Sequence, residues 1–399
     1  MNIFRWIKDR FRKLIGKKQD AAPSRRLSIK FSDRNFGQFP ELIIRREESG
    51  SRLDFIDTAK SLYEEIWNVD ENKFKVDICE CNDRLALLST KPRGSIEGAL
   101  HPGGSRNSGS AGNNNGDTNF YTNLHRETAV ITKVIANCKE NSPRSFNSSP
   151  SSDFKNVAIL DSSVNEEDLD RLCQTDQNIK PNNIAITQYA CTNIDRQNAD
   201  HGTGVTFCFL QRFFTRYPNG KIHVHVFNVT RLKDGELTVP QFNVLCALEK
   251  LIKIPRIKHV NMSFGFHTQL HLLEKYFIHF MNGDYKVTMS AGNDRNDISL
   301  NSQNFNYPST YARSTKHPYP NNKNLIEVFG KPTSNGQTQG ETVWIHSSDM
   351  GSNRLGNTDH IPPNQSNIEM DIAVFDLTNS QNTAGGTSFA APRKLADLM

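Results

Sequence analysis

The sequence predicts an α/β protein, a doubly wound parallel sheet preceded by a small α+β unit. Three observations predict it. From Val157 onward, short apolar runs alternate with segments of helical period, as parallel strands covered on both faces require. Residues 27–98 follow a different order, strand–helix–strand–strand. Between them, the stretch HPGGSRNSGSAGNNNGDT over 101–118 has the Gly/Ser/Asn content of a flexible linker.

The first segment, residues 1–20, reads as a basic amphipathic helix. Seven Lys or Arg and one acid fall within residues 1–18, and Ile3, Phe4, Ile7, Phe11 and Leu14 share one face. Two readings stay open: a helix that docks on a partner protein or a membrane surface, or else a frayed basic tail or a helix packed on its own chain. The α+β unit spans 21–100. Its strands are expected at Leu42–Arg46, Phe74–Ile78 and Leu85–Ser89, with a helix over Phe55–Trp67 whose Phe55, Ile56, Ala59, Leu62, Tyr63 and Ile66 recur at helical spacing. Residues 101–153 form the linker region, with a short helix expected over Leu124–Asn137. The large domain spans 154–399. Its strands are expected at Val157–Leu160, Lys221–Thr230, His259–Ser263, Tyr285–Ser290, Leu325–Phe329 and Asp371–Phe375, and its helices over 202–216, 239–253 and 268–282. The first of these helices is apolar almost all round, which predicts deep burial.

Composition narrows the function. The 399 residues are 36% apolar, with no run long enough to span a membrane as a helix. No uninterrupted apolar stretch follows the N-terminal charges, so no secretory signal is expected. The seven widely spaced cysteines read as thiols of a reducing cytoplasm, and Cys79 with Cys81 is a weak metal pattern. The expected location is therefore cytoplasmic, or peripheral to a membrane through residues 1–18. The net charge of +5 is concentrated in the first segment, which leaves the body near neutral and argues against nucleic-acid binding. No H-E-x-x-H or phosphate-binding Gly-rich loop occurs. His223 and His225 share one strand face; a solvent-facing or core-edge pair is preferred to a metal pair, and no metal site is expected.

In a parallel sheet, functional groups collect beyond the C-terminal strand ends and at the helix starts. Asp161 ends the strand in VAILDSSVN. His201 opens the apolar helix in DHGTGVTF, Asn293 follows the strand KVTMSAGN, and Ser388 begins a final helix in TAGGTSFAAP. A serine hydroxyl needs an adjacent imidazole to take its proton. A carboxylate fixes the imidazole tautomer, and an amide can stabilise an oxyanion. Taken singly, each has a duller reading: a turn carboxylate, a helix-start histidine, a turn asparagine, a helix cap.

Together VAILDSSVN, HGTG, VNMSFG, SAGN and GTSFAAP resemble, in this order, the signature blocks of the subtilisin-like serine proteases, the subtilases, over about residues 154–399. The resemblance implies Ser388 as nucleophile, His201 as general base, Asp161 as its orienter and Asn293 as oxyanion donor. It also implies that Ser263, Phe264 and Gly265 pair with substrate backbone and that Ala291 and Gly292 wall a pocket. The expected function is a regulated serine endopeptidase acting on protein or peptide substrates without a required cofactor, calcium being left open. The alternative is an inactive subtilase fold serving as a peptide-binding scaffold. Departures from the family pattern are Ser163 where Gly is usual, Gly204 where a second His is common, Phe266 beside the substrate edge, and only eleven residues after Ser388. The N-terminal unit reads either as an inhibitory propeptide or as a regulatory adaptor.

Overall fold

The computed structural model describes residues 41–62, 70–90, 116–118, 121–123, 145–190, 199–233, 236–267, 271–298, 306–313, 323–331, 352–355, 368–372, 374–375 and 384–399. The segment 1–20, the helix expected at Leu124–Asn137 and most of the linker lie outside these residues.

The N-terminal unit comprises β1 (Leu42–Arg45), α1 (Arg52–Leu62), β2 (Phe74–Cys79), β3 (Asn82–Thr90) and β4 (Gly116–Thr118), and its sheet has the order β2-β3-β1-β4. All three strand pairings are antiparallel. Alternation along the strands gives the sheet two apolar faces. Leu42, Ile44, Phe74, Ala86 and Leu88 pack on Phe55, Ile56 and Ala59 of α1. Ile43, Cys79, Leu85 and Leu87 face the other way and join the core of the large domain. Part of the segment expected as linker is thus strand: residues 116–118 pair with β1, and β5 (Tyr121–Asn123) pairs with a hairpin strand of the large domain. A three-residue strand has no periodicity to read; a partner from elsewhere in the chain creates it.

The large domain continues with β6 (Lys155–Asp161), α2 (Glu166–Gln174), β7 (Ile184–Ala190), α3 (Asp200–Arg216), β8 (Ile222–Asn228), the hairpin β9 (Arg231–Lys233) and β10 (Glu236–Pro240), α4 (Gln241–Leu251), β11 (His259–Met262), α5 (His271–Asn282), β12 (Lys286–Ser290), β13 (Leu325–Lys331), β14 (Ile368–Ile372), the short pair β15 (Val374–Phe375) and β16 (Ala384–Gly385), and α6 (Thr387–Asp397). The main sheet has seven strands in the order β14-β13-β12-β11-β6-β8-β7, every pairing parallel. Residues from α2, α3 and α6 build one core with Val157, Ile159, Val224 and Val226, whereas α4 and α5 cover the opposite face over Ala158, Leu160, Val260 and Val287. This is the doubly wound arrangement expected. Residues Val157 to Asp161 are all buried, as a central parallel strand demands. Two of the elements not anticipated, α2 and β7, are half-polar: Glu166, Glu167 and Asp168 open α2, where they suit the helix dipole, and Asn165 caps it through its side-chain oxygen.

Chain order locates a switch point. From β6 the chain runs through α2 towards β7 on one side, and from β11 through α5 to β12 on the other. The C-terminal ends of the neighbours β6 and β11 therefore flank the crevice where ligands bind in open α/β sheets.

The last helix is anchored at its far end. Asp397 accepts hydrogen bonds from Arg212 Nε and Nη2 at 2.8 and 2.9 Å and from Arg216 Nε at 2.6 Å. Burial pushes its carboxyl up, but the two guanidiniums outweigh this and hold it below the usual carboxylate range. A depressed folded pKa adds stability that is present above the unfolded value and lost as pH falls through the folded one. The arginines are a third to a half exposed, so solvent screens the cluster. Asp397→Asn is expected to cost about 1–2 kcal/mol at neutral pH, with the difference in urea midpoints closing in acid.

Candidate active site

Strand β6 delivers Asp161 to the switch point, fully buried. Helix α3 begins beside it, and Nδ1 of the fully buried His201 donates to Oδ1 of Asp161 at 2.7 Å. The same oxygen accepts the Ser162 N–H at 2.7 Å. The other oxygen, Oδ2, is buried with no hydrogen-bond partner among the described residues.

Close approach of the helix start to the strand end makes this pair. Gly202 N donates to Ser162 Oγ at 2.7 Å, and a Cβ at position 202 would stand 2.4 Å from the Ser162 carbonyl oxygen. Only glycine admits that approach. Ser163 occupies its turn without strain. Its hydroxyl accepts from Asn228 Nδ2 at 2.9 Å, and Arg295 is the one described non-glycine residue with positive φ. Asn228, at the end of β8, is held in turn by the N–H and hydroxyl of Thr230. Two neighbouring strand ends are thereby cross-braced beneath the carboxylate.

Ser388 is the second residue of α6 and is buried. Its hydroxyl donates to the Ser263 carbonyl at 3.2 Å, and the Ser263 hydroxyl donates to the Ser388 carbonyl at 2.8 Å. Asn261 Nδ2 holds the Ser263 hydroxyl at 2.9 Å, so α6 is tied to the end of β11. The ring of the next residue, Phe389, lies 6.2 Å from the His201 ring, centroid to centroid. Asn293 meets the same helix start, its Oδ1 accepting the Thr387 N–H at 2.8 Å, while the Thr387 hydroxyl accepts the Gly292 N–H at 3.1 Å. With Oδ1 as the acceptor, the amide nitrogen is the donor end of the Asn293 side chain. Gly292 has φ +95°, the left-handed region, which lets the chain reverse after β12.

The remaining predicted residues line the same rim. Phe264 is buried, and Phe266 lies in the core edge-on to Phe264. Main-chain bonds of 2.6 and 2.7 Å join Phe266 to Tyr307. Ala291 is fully buried, and its carbonyl accepts from Asn353 Nδ2 at 2.8 Å. The sequence reading missed Ser162, Thr387, Asn306 and Asn353. Asn306 fills the space beside Gly265 and donates to the Ser290 carbonyl at 2.9 Å. Behind it, Ser309 and Arg313 satisfy the buried Glu327 carboxylate. Only Ser162 and Thr387 sat inside recognisable motifs; Asn306 and Asn353 come from irregular chain without periodicity.

His223 and His225 lie away from this rim, on the α4 face. His225 is buried and hydrogen-bonded to Tyr189 and Asn156, and burial pushes its imidazole down to about 3. Among the described residues no group of three or more His, Cys, Asp or Glu gathers as metal donors, and no helix is long and apolar enough to cross a membrane.

No protein-family model matches the chain, and no curated protein matches it. Among solved structures the chain is similar to Pseudomonas sedolisin, a serine-carboxyl proteinase, at 14% identity and TM-score 0.40, covering 64% of this chain and 80% of that one. It is similar to a structure of the subtilase cytotoxin SubAB at 16% identity and TM-score 0.39, covering 69% and 80%. A third is the psychrophilic subtilisin-like protease of the Antarctic psychrotroph Pseudoalteromonas sp. AS-11, at 16% identity and TM-score 0.30, covering 45% of this chain and 36% of that one. These are likenesses of fold alone.

Proposed function

We propose that this chain is a serine endopeptidase that acts through Asp161, His201 and Ser388, with Asn293 as oxyanion donor. The observation that carries the proposal is the fully buried Asp161–His201 pair at 2.7 Å, at the switch point where α6 presents Ser388. A neutral imidazole held at Nδ1 by a carboxylate keeps Nε2 as a proton acceptor. In the proposed reaction Nε2 takes the Ser388 proton as Oγ attacks the substrate carbonyl. The imidazolium is stabilised by Asp161 and returns the proton to the leaving amine; water then repeats the cycle on the acyl-enzyme. The Asn293 amide, oriented by its bond to Thr387, and the N–H groups opening α6 would receive the oxyanion. Asn293→Ala is expected to lower kcat about 10²–10³-fold with KM little changed, a magnitude carried over from subtilisin.

Ser388 is only 3% exposed, which supports restraint: a substrate must displace what covers the hydroxyl. A second reading, an inactive peptide-binding scaffold, is favoured by the bond from Ser388 Oγ to the Ser263 carbonyl, which occupies the hydroxyl proton. A fluorophosphonate probe separates the two. Labelling at Ser388, before or after limited trypsin treatment, supports the protease; none under either condition overturns it.

A further inference from the structure

We propose that Asn306 limits the enzyme to peptide bonds that follow a small residue, Gly, Ala or Ser. This limit rests on the protease reading and adds to it the class of substrate residue.

The carbonyl that Ser388 attacks must lie between Ser388 and the Asn293 amide. Ser388 is bonded to Ser263, the first residue beyond β11, and Asn293 lies three residues beyond β12. These strands are parallel neighbours, paired as far as Met262↔Met289. Their exits, 263–265 and 291–293, therefore run side by side beneath the point of attack. The same register carried three residues further sets Gly265 opposite Gly292. The side chain of the residue that supplies the carbonyl descends into the gap between the two exits. Both glycines are only half-buried, so solvent reaches the mouth of the gap.

The floor of the gap is filled. Asn306 is 2% exposed. A Cβ at Gly265 would stand 1.8 Å from its Oδ1, and one at Gly292 would stand 3.3 Å from its Cγ. One carboxamide thus spans the space between the exits. It is held from below. Its Nδ2 donates to the Ser290 carbonyl at 2.9 Å and to the Ser309 hydroxyl at 3.3 Å. Ser309 in turn donates to the fully buried Glu327 at 2.7 Å, and Arg313 closes that carboxylate from the other side. The backbone of residue 306 is fixed as well: its N–H donates to the Thr310 hydroxyl at 3.2 Å, and its carbonyl accepts the Thr310 N–H at 2.9 Å. Asn353 closes the far side of Gly292, where its Nδ2 donates to the Ala291 carbonyl. A Leu or Phe side chain could enter only by driving the carboxamide off Ser290, which breaks a buried hydrogen bond and disturbs a close-packed floor. A hydrogen, methyl or hydroxymethyl group requires no such movement.

The test incubates the full-length chain, with and without limited trypsin treatment, with a mixture of peptides free of Lys and Arg, so that residual trypsin cuts none of them. Cut sites are read by mass spectrometry, and fluorophosphonate labelling of Ser388 is measured on the same samples. Cuts are expected to follow Gly, Ala or Ser at least about tenfold more often than Leu, Phe or Tyr. Asn306→Ala, which removes the carboxamide, should shift this ratio at least about tenfold towards the larger residues; Asn306→Ser serves where the alanine variant fails to fold. Wild-type protein that labels and cuts after Leu or Phe as readily as after Ala overturns the size limit and leaves the protease reading standing. A folded, labelled Asn306 variant with the wild-type ratio overturns the assignment to Asn306. Absence of both labelling and cleavage overturns the protease reading and the limit with it.

Discussion

Ser388→Ala is expected to remove fluorophosphonate labelling and to lower peptide turnover by about 10⁶-fold, a magnitude carried over from subtilisin. The expectation follows from what the substitution deletes. The hydroxyl is the group proposed to form the acyl-enzyme; the N–H groups of the helix start and the Asn293 amide remain. Residual rate comes from binding and oxyanion stabilisation alone, which leaves catalysis over water of about 10³–10⁴. The structural cost is small, because among the described residues the hydroxyl's hydrogen bond is a long one, 3.2 Å to Ser263, and Ala suits a helix. Circular dichroism should therefore be unchanged. Full turnover in the Ser388→Ala protein would assign the chemistry to another residue.

Asp161→Asn is expected to lower kcat about 10⁴-fold while leaving KM close to the wild-type value. Here shape is kept and the negative charge is lost. Oδ1 of Asp161 accepts both the Ser162 N–H and His201 Nδ1–H. An asparagine that keeps its oxygen at that position still accepts from both, and its NH₂ takes the place of Oδ2, buried without a partner among the described residues. The imidazolium that forms when Nε2 takes the serine proton then has no carboxylate to stabilise it. The variant should remain folded, because the amide is isosteric and the brace through Ser163, Asn228 and Thr230 is untouched. Single-turnover rates with a peptide ester check the size of the loss. A variant within tenfold of wild type would show that the carboxylate does not orient the base.

Both experiments address a site whose parts differ in how far they could be read from sequence. Asp161 and His201 were legible because each ends or opens an element whose apolar pattern is unmistakable: Val157–Leu160 before the one, Val205–Phe214 after the other. Ser388 was legible through GTSFAAP, although α6 itself is short. The brace beneath them was not. Ser162, Ser163 and Asn228 are ordinary turn residues until β8 is laid beside β6 and Asn228 comes within 2.9 Å of Ser163. Asn306 and Asn353 were invisible for the same reason: polar residues in irregular chain acquire a role only from the backbone groups that reach them. Strand β7 escaped notice because its buried and half-buried residues do not alternate cleanly, and β4 and β5 because three residues carry no period.

The contact between the two units was equally unreadable. Alternation in Leu42–Arg45 and Leu85–Leu88 predicts that a sheet has two apolar faces, not which helices cover each. The sequence by itself determined the parallel α/β class, the strand ends at which the candidate site lies and the order of the motifs, because apolar periodicity and glycine-bearing turns are local properties of the chain. Only the tertiary structure decided that α1 covers one face of the N-terminal sheet and α4 and α5 the other. It alone brought Asn228 against Ser163 and Asn293 against Thr387. Those contacts join residues far apart in the chain, and they depend on strand order and helix packing, which no local pattern encodes.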